Sequence, residues 1–431
     1  TYAGALGVLE RALTFGIHPS LDGIRALTVE MGAPQESYRS IQVTGTNGKT
    51  SVTRLVSAIL HAHGLRVGTY TSPHLISYTE RMEVDGTPIA ETAFAAAIER
   101  SLAAAGSEVE GYTEFELLTA AALAAFEAAH VHWAVLEVGM GGRWDATSVV
   151  LPAVSVITGV ALDHTERLGT TREAIAADKA HIIKAGSVAV IGPGCAGVED
   201  EFLRRAASFG APVVRVGPAG SDVTWTLASR PDRPGGFTRL DVRGALADYR
   251  DLAVRAPSYQ ASNVAVAIAA AEAAIGFPLD PVALRDALGA LGFPGRFECL
   301  AGEPPVVIDG AHNPDAAAVL ADATREAFGD AMPVFVLGAM ADKDVAGIVS
   351  ALVPVAAGFI CTQSRSERAL PAAALADVVR AAGGAVLAVE PVVATALASA
   401  QALAPAGIVC AGSIYVAGEV RAALRREGSV T

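Results

Sequence analysis

The residues best suited to chemistry lie between Thr44 and Ser51, where the sequence reads TGTNGKTS. A short β-branched run precedes this segment and apolar residues at helical spacing follow it, so it joins a strand to a helix. Small residues let backbone N–H groups surround a phosphate, with Lys49 reaching the terminal phosphates and the Thr50 hydroxyl binding Mg²⁺. The strict phosphate-loop pattern has glycine in place of Val43, and the alternative is a glycine turn that only caps a helix.

Two further polar residues follow apolar strands. Glu137 ends the run Trp133–Leu136, which should be buried on both faces, and an unpartnered carboxylate there would be costly. His164 follows a second apolar run, so both side chains should lie at the carboxyl edge of one sheet, where a Mg²⁺ site needs oxygen ligands. Taken singly, Glu137 could be a capping or salt-bridged residue and His164 a structural histidine.

Lysine is scarce in this chain. Of the 32 basic residues, only Lys49, Lys179, Lys184 and Lys343 are lysines. A GC-rich genome would produce the same bias, so the scarcity alone says nothing about function. Arginine cannot replace a lysine whose amine must lose its proton and react. The remaining lysines therefore mark positions where arginine would not serve, and chemistry gives a reason for this at Lys49 and Lys179 but not at Lys184 or Lys343. Lys343, between two aspartates, could simply belong to a surface charge cluster.

Strands and helices alternate around these candidates. The pattern predicts helices over Phe115–His130 and Arg172–Ile183, and strands over Trp133–Val138 and Ala153–Val160. Such alternation is typical of a parallel sheet covered by helices on both faces.

The pattern changes twice towards the C-terminus. Alternating runs over Val223–Leu227 and Phe237–Val242 predict a small antiparallel sheet. After the Pro-Gly-Arg turn at 294–296 a second strand and helix series begins, in which Pro314 is placed to open a helix. Its predicted strands are Val306–Asp309, Pro333–Gly338, Phe359–Thr362, Ala385–Val389 and Ile408–Ala411.

The composition excludes two classes of protein. Hydrophobic residues make up 52% of the 431 and charged residues only 18%, the opposite of a disordered chain. The net charge of −13 argues against a nucleic-acid partner. The longest uncharged apolar stretch, 149–162, is too short to span a membrane, and Ser155 and Thr158 interrupt it. Four widely spaced cysteines and the absence of a signal-peptide pattern predict a reducing cytoplasm.

The phosphate-loop segment resembles the form found in the Mur ligase superfamily, and further segments are similar to its folylpolyglutamate synthase/dihydrofolate synthase branch. They run in family order over nearly the whole chain. These segments are Thr71–Leu75 with Glu80 and Arg81, Glu137–Thr147, Leu162–Thr165 with Leu168 and Gly169, Asp178–Ala180, Pro294–Arg296, Asp309–Pro314, Asp342–Asp344 and Gly412–Tyr415.

Pattern and resemblance together predict an α/β protein with two domains. Residues 1–296 would form a P-loop, Mur-ligase-like domain with a parallel sheet and a small antiparallel sheet. Residues 297–431 would form a Rossmann-like α/β domain. The resemblance implies an ATP-dependent amide ligase that adds L-glutamate to dihydropteroate or a reduced folate through an acyl phosphate. It also implies two Mg²⁺ ions, a monovalent cation such as K⁺, and a cytoplasmic monomer without nucleic-acid or membrane partners.

The resemblance further implies a role for each residue that matches a family motif. Catalysis would fall to Lys49, His164, Lys179, Arg296 and His312; ATP binding to Thr46, Asn47, Gly48, Lys49, Thr50, Ser51, Asn263, Arg296 and Asp309; metal binding to Thr50, Ser72, Glu137, His164 and carbamylated Lys179; pteroate or folate binding to Thr71, Pro73, His74, Arg81, Arg143 and Asp145; and glutamate binding to His312 and Ser413. Asp309 alone could also be a helix cap.

Three positions depart from the family pattern, and parts of the sequence are compatible with two other functions. Tyr259 replaces histidine, Ser148 replaces asparagine beside the expected pterin pocket, and His181 replaces glycine near Lys179. The Arg-Trp-Asp form at 143–145 is similar to that of bifunctional members. One rival is a Mur-type ligase for UDP-muramyl substrates, against which the Thr-Ser-Pro-His segment argues. Another is a P-loop ATPase without ligase activity, which would not need a second α/β domain.

Overall fold

The central strand of the first sheet is buried along almost its whole length. In the computed structural model, which describes residues 1–12, 19–300, 302–403 and 406–426, the residues from Ser40 to Thr44 are at most 3% exposed. A strand covered on both faces favours apolar β-branched residues, which accounts for Ile41 and Val43. Gln42 is a buried polar exception in this strand.

The first sheet has eight strands: β1 Arg39–Thr44, β2 Val67–Tyr70, β3 Met82–Val84, β4 Thr87–Pro88, β5 Trp133–Glu137, β6 Val154–Gly159, β7 Val188–Gly194 and β8 Val213–Arg215. Their order is β4-β3-β2-β5-β1-β6-β7-β8. All neighbours from β2 to β8 are parallel, whereas β3 and β4 extend one edge in antiparallel fashion. The predicted parallel sheet is confirmed, and the two short edge strands are an addition to it.

The helices around this sheet are α1 Tyr2–Ala12, α2 Asp22–Glu30, α3 Lys49–Ala62, α4 Glu91–Ala105, α5 Glu114–Ala128, α6 Thr165–Leu168, α7 Arg172–Lys179 and α8 Glu199–Phe209. The predicted helix over 172–183 ends earlier as an α-helix. After Lys179 the chain continues as the 3₁₀ turn Ala180–Ile182, which tightens the last turn. His181 Nδ1 lies 2.9 Å from the carbonyl oxygen of Ala177, so its ring folds back onto the helix end.

Three strands form the predicted small antiparallel sheet: β9 Thr224–Ser229, β10 Thr238–Arg243 and β11 Asp248–Val254, in the order β11-β10-β9. Two helices follow it, α9 Gln260–Ile275 and α10 Pro281–Ala290.

A six-stranded sheet forms the C-terminal α/β layer: β12 Glu298–Leu300, β13 Val306–Ile308, β14 Val334–Leu337, β15 Gly358–Gln363, β16 Val386–Val392 and β17 Ile408–Ala411. The order is β12-β13-β17-β14-β15-β16, parallel except for β12 at one edge. Its helices are α11 Pro314–Phe328, α12 Val345–Leu352, α13 Ala372–Ala381, α14 Val393–Leu403 and α15 Ile414–Arg426. Pro314 opens α11, as predicted.

The chain divides into two compact units. The first comprises Thr1–Thr226, Asp241–Leu252 and Ser262–Leu288, and the second Leu227–Leu240, Ala253–Ala261 and Gly289–Thr431. The domain boundary between residues 296 and 297 stays a prediction. Within the described part of the chain, no helix combines the length and the apolar character needed to cross a membrane.

Candidate active site

The phosphate-loop segment connects β1 to α3 and depends on two glycines. Gly48 has φ +84°, and a Cβ on it would lie 2.9 Å from Oδ1 of Asn263. Gly45 has φ +155°, and a Cβ there would lie 1.9 Å from Oγ1 of Thr158. Only glycine tolerates both the positive φ and these close approaches. The same contacts place Asn263, a predicted ATP-binding residue, directly against the loop.

Strand β6 holds the loop in place. The Thr158 hydroxyl donates to the carbonyl oxygen of Asn47 at 2.6 Å and lies 3.3 Å from that of Thr44. The Thr46 N–H donates to the carbonyl of Gly159 at 2.9 Å. Sequence reasoning missed this role of Thr158, and the available signal was its place as a polar break in an apolar run.

Removal of the Thr158 hydroxyl is expected to weaken nucleotide binding. Thr158→Val keeps the shape of the side chain but loses a hydrogen bond worth about 1 kcal/mol, so the KM for ATP should rise about fivefold. Steady-state ADP release measures this change. Thr324→Val is the matched control, because that buried hydroxyl also bonds one backbone carbonyl but lies on α11 in the second unit. An unchanged KM in Thr158→Val would contradict the assigned role.

Two lysine amines meet at one carbonyl oxygen. Lys49 Nζ donates to the carbonyl of Gly45 at 2.9 Å and to that of Thr46 at 3.1 Å, and Lys179 Nζ donates to the same Gly45 oxygen at 3.0 Å. Burial of Lys179, and then the nearby charge of Lys49, lowers the pKa of the Lys179 amine to about 7. At neutral pH a large share of this amine is therefore unprotonated and nucleophilic.

Thr50, Ser72 and Glu137 come together beside the loop. The Thr50 hydroxyl donates to Glu137 Oε1 at 2.9 Å, and the Ser72 N–H donates to Glu137 Oε2 at 3.2 Å. These residues follow or end β1, β2 and β5, which are neighbours in the sheet. The hydroxyl and carboxylate oxygens are hard donors of the type that Mg²⁺ prefers, so this group fits the predicted metal.

His164 follows β6 at the same edge of the sheet. Its Nε2 lies 3.9 Å from Oδ2 of Asp163, and its backbone N–H donates to Oδ1 of the same residue. Across the residues that the structure describes, no three His, Cys, Asp or Glu side chains gather as a metal-binding group. A second metal site at His164 would therefore depend on other oxygens, such as those of a nucleotide or of carbamylated Lys179.

His74 and Arg81 form a compact cluster with Tyr78 and Glu114. Arg81 Nε donates to His74 Nδ1 at 2.9 Å, and the Tyr78 hydroxyl donates to Glu114 Oε1 at 2.9 Å. Because a guanidinium only donates, His74 Nδ1 accepts, and the neutral ring carries its proton on Nε2. Burial, and then the charge of Arg81, lowers the pKa of His74 to about 3. His74 therefore offers an N–H donor throughout the neutral pH range.

The low pKa of His74 gives a stability difference with a defined sign. Between pH 6.5 and about 3 the unfolded chain binds a proton that folded His74 does not, so acidification through this window destabilises the fold. His74→Asn, whose Oδ1 can still accept from Arg81, lacks this penalty. The free energy of unfolding of wild type should fall relative to the variant by about 2 kcal/mol between pH 7 and pH 4.5. Urea titrations at both pH values test this, and a constant difference would contradict it.

The remaining predicted substrate residues differ in accessibility. Thr71 is buried, and its N–H donates to the carbonyl of Arg81 at 3.0 Å. Pro73 follows a cis peptide bond. Asp145 is buried, and Arg143 is exposed on the same segment. Pro73 and Arg143 are therefore both open to a ligand, whereas Thr71 and Asp145 are covered by other residues.

The buried side chain of Asp145 is hydrogen-bonded to the glycine segment 139–142. Its carboxylate accepts the N–H groups of Met140 and Thr147, both at 3.0 Å. Burial raises the pKa of the Asp145 carboxyl although these hydrogen bonds oppose it. Arg143, in contrast, places its guanidinium carbon 4.7 Å from the ring centre of Trp144.

In the second unit, Asp309 stabilises the turn that carries Arg296 by hydrogen bonding to the backbone. Asp309 follows β13, and its two oxygens accept the N–H groups of Phe297 and Ala311, each at 2.7 Å. Arg296 donates to the carbonyl of Gly295 at 2.9 Å. Burial raises the pKa of the Asp309 carboxyl, and the charge of Arg296 opposes that shift. The predicted ATP-binding pair therefore lies together in this unit.

His312 and Ser413 follow adjacent parallel strands of the same sheet. His312 Nδ1 lies 2.8 Å from the carbonyl oxygen of Gly310, after β13. Ser413 follows β17, and its hydroxyl accepts the N–H of Tyr415 at 3.1 Å. The carboxyl ends of β13 and β17 thus bring both predicted glutamate-binding residues to one edge.

Known proteins match both parts of the chain. Residues 43–271 match the Mur ligase middle domain, and residues 295–414 match the Mur ligase glutamate ligase domain. A dihydrofolate synthase/folylpolyglutamate synthase of Mycobacterium tuberculosis is 38% identical over 95% of this chain and 91% of its own length. This chain belongs to the dihydrofolate synthase/folylpolyglutamate synthase family. It is a ligase that forms carbon–nitrogen bonds.

Solved structures of the family agree with this fold. E. coli FolC in complex with DHPP and ADP matches with a TM-score of 0.89 and 30% identity, over 99% of this chain and 98% of that chain. A bifunctional folylpolyglutamate synthase/dihydrofolate synthase with Mn, AMPPNP and L-glutamate bound matches with a TM-score of 0.85 and 30% identity, over 98% of each chain. The predicted fold class and family are confirmed.

Proposed function

We propose that this family member joins the amine of L-glutamate to a carboxylate of dihydropteroate and of reduced folates, with conversion of ATP to ADP and phosphate. The observation that carries the proposal is that both matched domains gather their predicted site residues at the carboxyl edge of their own parallel sheet. Family members that bind ADP with DHPP, and AMPPNP with L-glutamate, support it.

The reaction requires activation because a carboxylate is a poor electrophile. A carboxylate oxygen attacks the terminal phosphorus of ATP, the bond to ADP breaks, and an acyl phosphate forms. The glutamate amine then attacks the acyl carbon and loses a proton, and phosphate leaves with the bonding electrons as the amide forms. Catalysis is mainly positioning and stabilisation of charge.

The first unit supplies the groups for ATP. The N–H groups of the loop, with Thr46, Asn47 and Ser51, surround the phosphates, and Lys49 turns from the loop carbonyls towards them. Thr50, Ser72 and Glu137 would hold one Mg²⁺, and His164 with carbamylated Lys179 the second. When bound, the divalent cations neutralise charge on the phosphoryl oxygens. A monovalent cation such as K⁺ stays a prediction.

The remaining groups would bind the two substrates that become joined. His74 Nε2 would donate to the pteroate or folate, and Arg143 would pair with the negative charge of that substrate. Asp145 would hold the glycine segment 139–142 in the conformation that contacts the substrate. In the second unit, His312 Nδ1 donates to the carbonyl of Gly310, and Nε2 of the same ring would contact the glutamate amine. Ser413 lies beside it as a polar partner for the same substrate.

Release of ADP with single substrates omitted tests the proposed function. We expect ADP release to require both the pterin substrate and L-glutamate, with dihydropteroate and a reduced folate each serving as acceptor. Hydrolysis independent of these substrates would identify a P-loop ATPase instead. Release that requires a UDP-muramyl substrate would identify another Mur-type ligase.

A further inference from the structure

The amine of Lys184 lies between two backbone carbonyls on a separate segment of the first unit. Its Nζ donates to the carbonyl oxygen of Ser148 at 2.5 Å and to that of Val150 at 2.6 Å. These carbonyls lie at the end of the 3₁₀ turn Ala146–Val149, more than thirty residues earlier in the chain. A compact ammonium with three donors suits two carbonyls that converge on one point, whereas a planar guanidinium does not.

The turn that Lys184 holds is itself bonded to the glycine segment. The Ser148 hydroxyl donates to the carbonyl of Gly142 at 2.6 Å. From the other side, Gln42 Nε2 donates to the hydroxyls of Thr147 and Ser148 at 3.0 and 2.9 Å. Thr147 in turn donates its N–H to Asp145. Movement of the turn would therefore displace the segment that carries Arg143 and Asp145.

Lys184 is also anchored at its own end, five residues after Lys179. The Ser187 hydroxyl donates to the carbonyl of Lys184 at 2.9 Å, and the Ser155 hydroxyl donates to that of Ile182 at 2.8 Å. A Cβ on Gly142 would lie 2.9 Å from the carbonyl oxygen of Lys179, so the two segments are in close contact. The hydrogen bonds of Lys184 to Ser148 and Val150 therefore form a second connection between the two segments, in addition to the contact of Gly142 with Lys179.

We propose that Lys184 is a positioning residue: its amine clamps the 3₁₀ turn Ala146–Val149 and so sets the glycine segment, with Arg143 and Asp145, against the segment of Lys179. The consequence for substrate binding rests on the proposed function, since the glycine segment would contact the pterin substrate. The clamp itself rests on the geometry alone. Burial lowers the pKa of the Lys184 amine to about 8, in keeping with an amine held among carbonyls and away from water.

Lys184→Met in the full chain tests the clamp through two readouts. Hydrogen exchange of the backbone amides in residues 139–150, measured without substrates, should accelerate about tenfold because two hydrogen bonds to a charged donor are lost. The KM for dihydropteroate should rise about tenfold, while the KM values for ATP and glutamate stay within about twofold. If the methionine variant does not fold, Lys184→Gln, which keeps an N–H donor, should shift both readouts in the same direction by less.

Arg205→Met is the matched control. Arg205 Nε donates to the carbonyl of Ile183 at 3.2 Å, so it too is a cation bonded to this stretch of backbone, but it does not touch the turn. It should leave both readouts unchanged.

Each outcome decides a separate part of the proposal. Unchanged exchange over 139–150 in the Lys184 variant would overturn the clamp. Faster exchange with an equal rise of all three KM values, or with only a lower Tm, would overturn the positioning role. If wild type shows no ADP release that depends on dihydropteroate or folate, the proposed function and the substrate role fail together, and the exchange measurement still decides the clamp.

Discussion

Replacing Lys179 by methionine is expected to lower kcat by about 10²- to 10³-fold while raising the stability of the metal-free protein. The amine is buried and its pKa is lowered from 10.5 to about 7. Below pH 7 the folded protein therefore holds a buried positive charge, which lowers its free energy of unfolding. Between pH 7 and 10.5 the unfolded state binds more protons, and the penalty shrinks as pH rises. The Tm gain of the variant should therefore be largest near pH 6 and smallest near pH 10.

In the proposed mechanism, the loss of turnover in this variant has a chemical rather than a structural cause. The Gly45 carbonyl oxygen still accepts a hydrogen bond from Lys49 Nζ, so methionine at position 179 does not leave this oxygen unpaired. Lys179→Gly supplied with a short carboxylate such as propionate should regain part of the lost turnover, because the carboxylate can replace a carbamate. Near-normal kcat in Lys179→Met would refute the carbamate role.

Replacing Lys49 by methionine should have a comparably large effect, a fall in kcat of about 10³-fold. Lys49 lies over the loop carbonyls of Gly45 and Thr46, from which its ammonium can reach a bound phosphate. Lys49→Arg should not restore turnover, because a planar guanidinium replaces a compact point charge in a tight loop. Single-turnover measurement of ADP formation reports this step directly.

Arg54→Met, on the same helix, should lower the stability of the protein rather than its kcat. Arg54 forms an ion pair with Glu83 at 2.5 Å, with both side chains largely buried. Its loss leaves the Glu83 carboxylate without this cation, so the free energy of unfolding should fall by about 3 kcal/mol. The kcat of the folded enzyme should remain near that of wild type. A stability loss in Lys49→Met as large as that in Arg54→Met, with little change in kcat, would contradict the catalytic assignment.

Local pattern was sufficient for most of the fold. The strand, loop and helix around TGTNGKTS follow from β-branched runs, glycines and helical spacing within about twenty residues. Asp309 and Pro314 likewise indicate a strand end and a helix start next to each other in the chain. Element ends were less certain: α7 ends at Lys179 because the chain tightens into a 3₁₀ turn, which apolar spacing does not reveal.

The sequence by itself determined which strand ends carry polar residues and that the four scarce lysines lie in or beside the motifs. Only the tertiary structure decided which of these groups meet. The contacts of Thr50 with Glu137, of Thr158 with Asn47 and of Lys184 with the 146–149 turn join residues far apart in the chain. The physical reason is that sheet order and register set such distances, and both depend on packing of the whole sheet rather than on neighbouring residues.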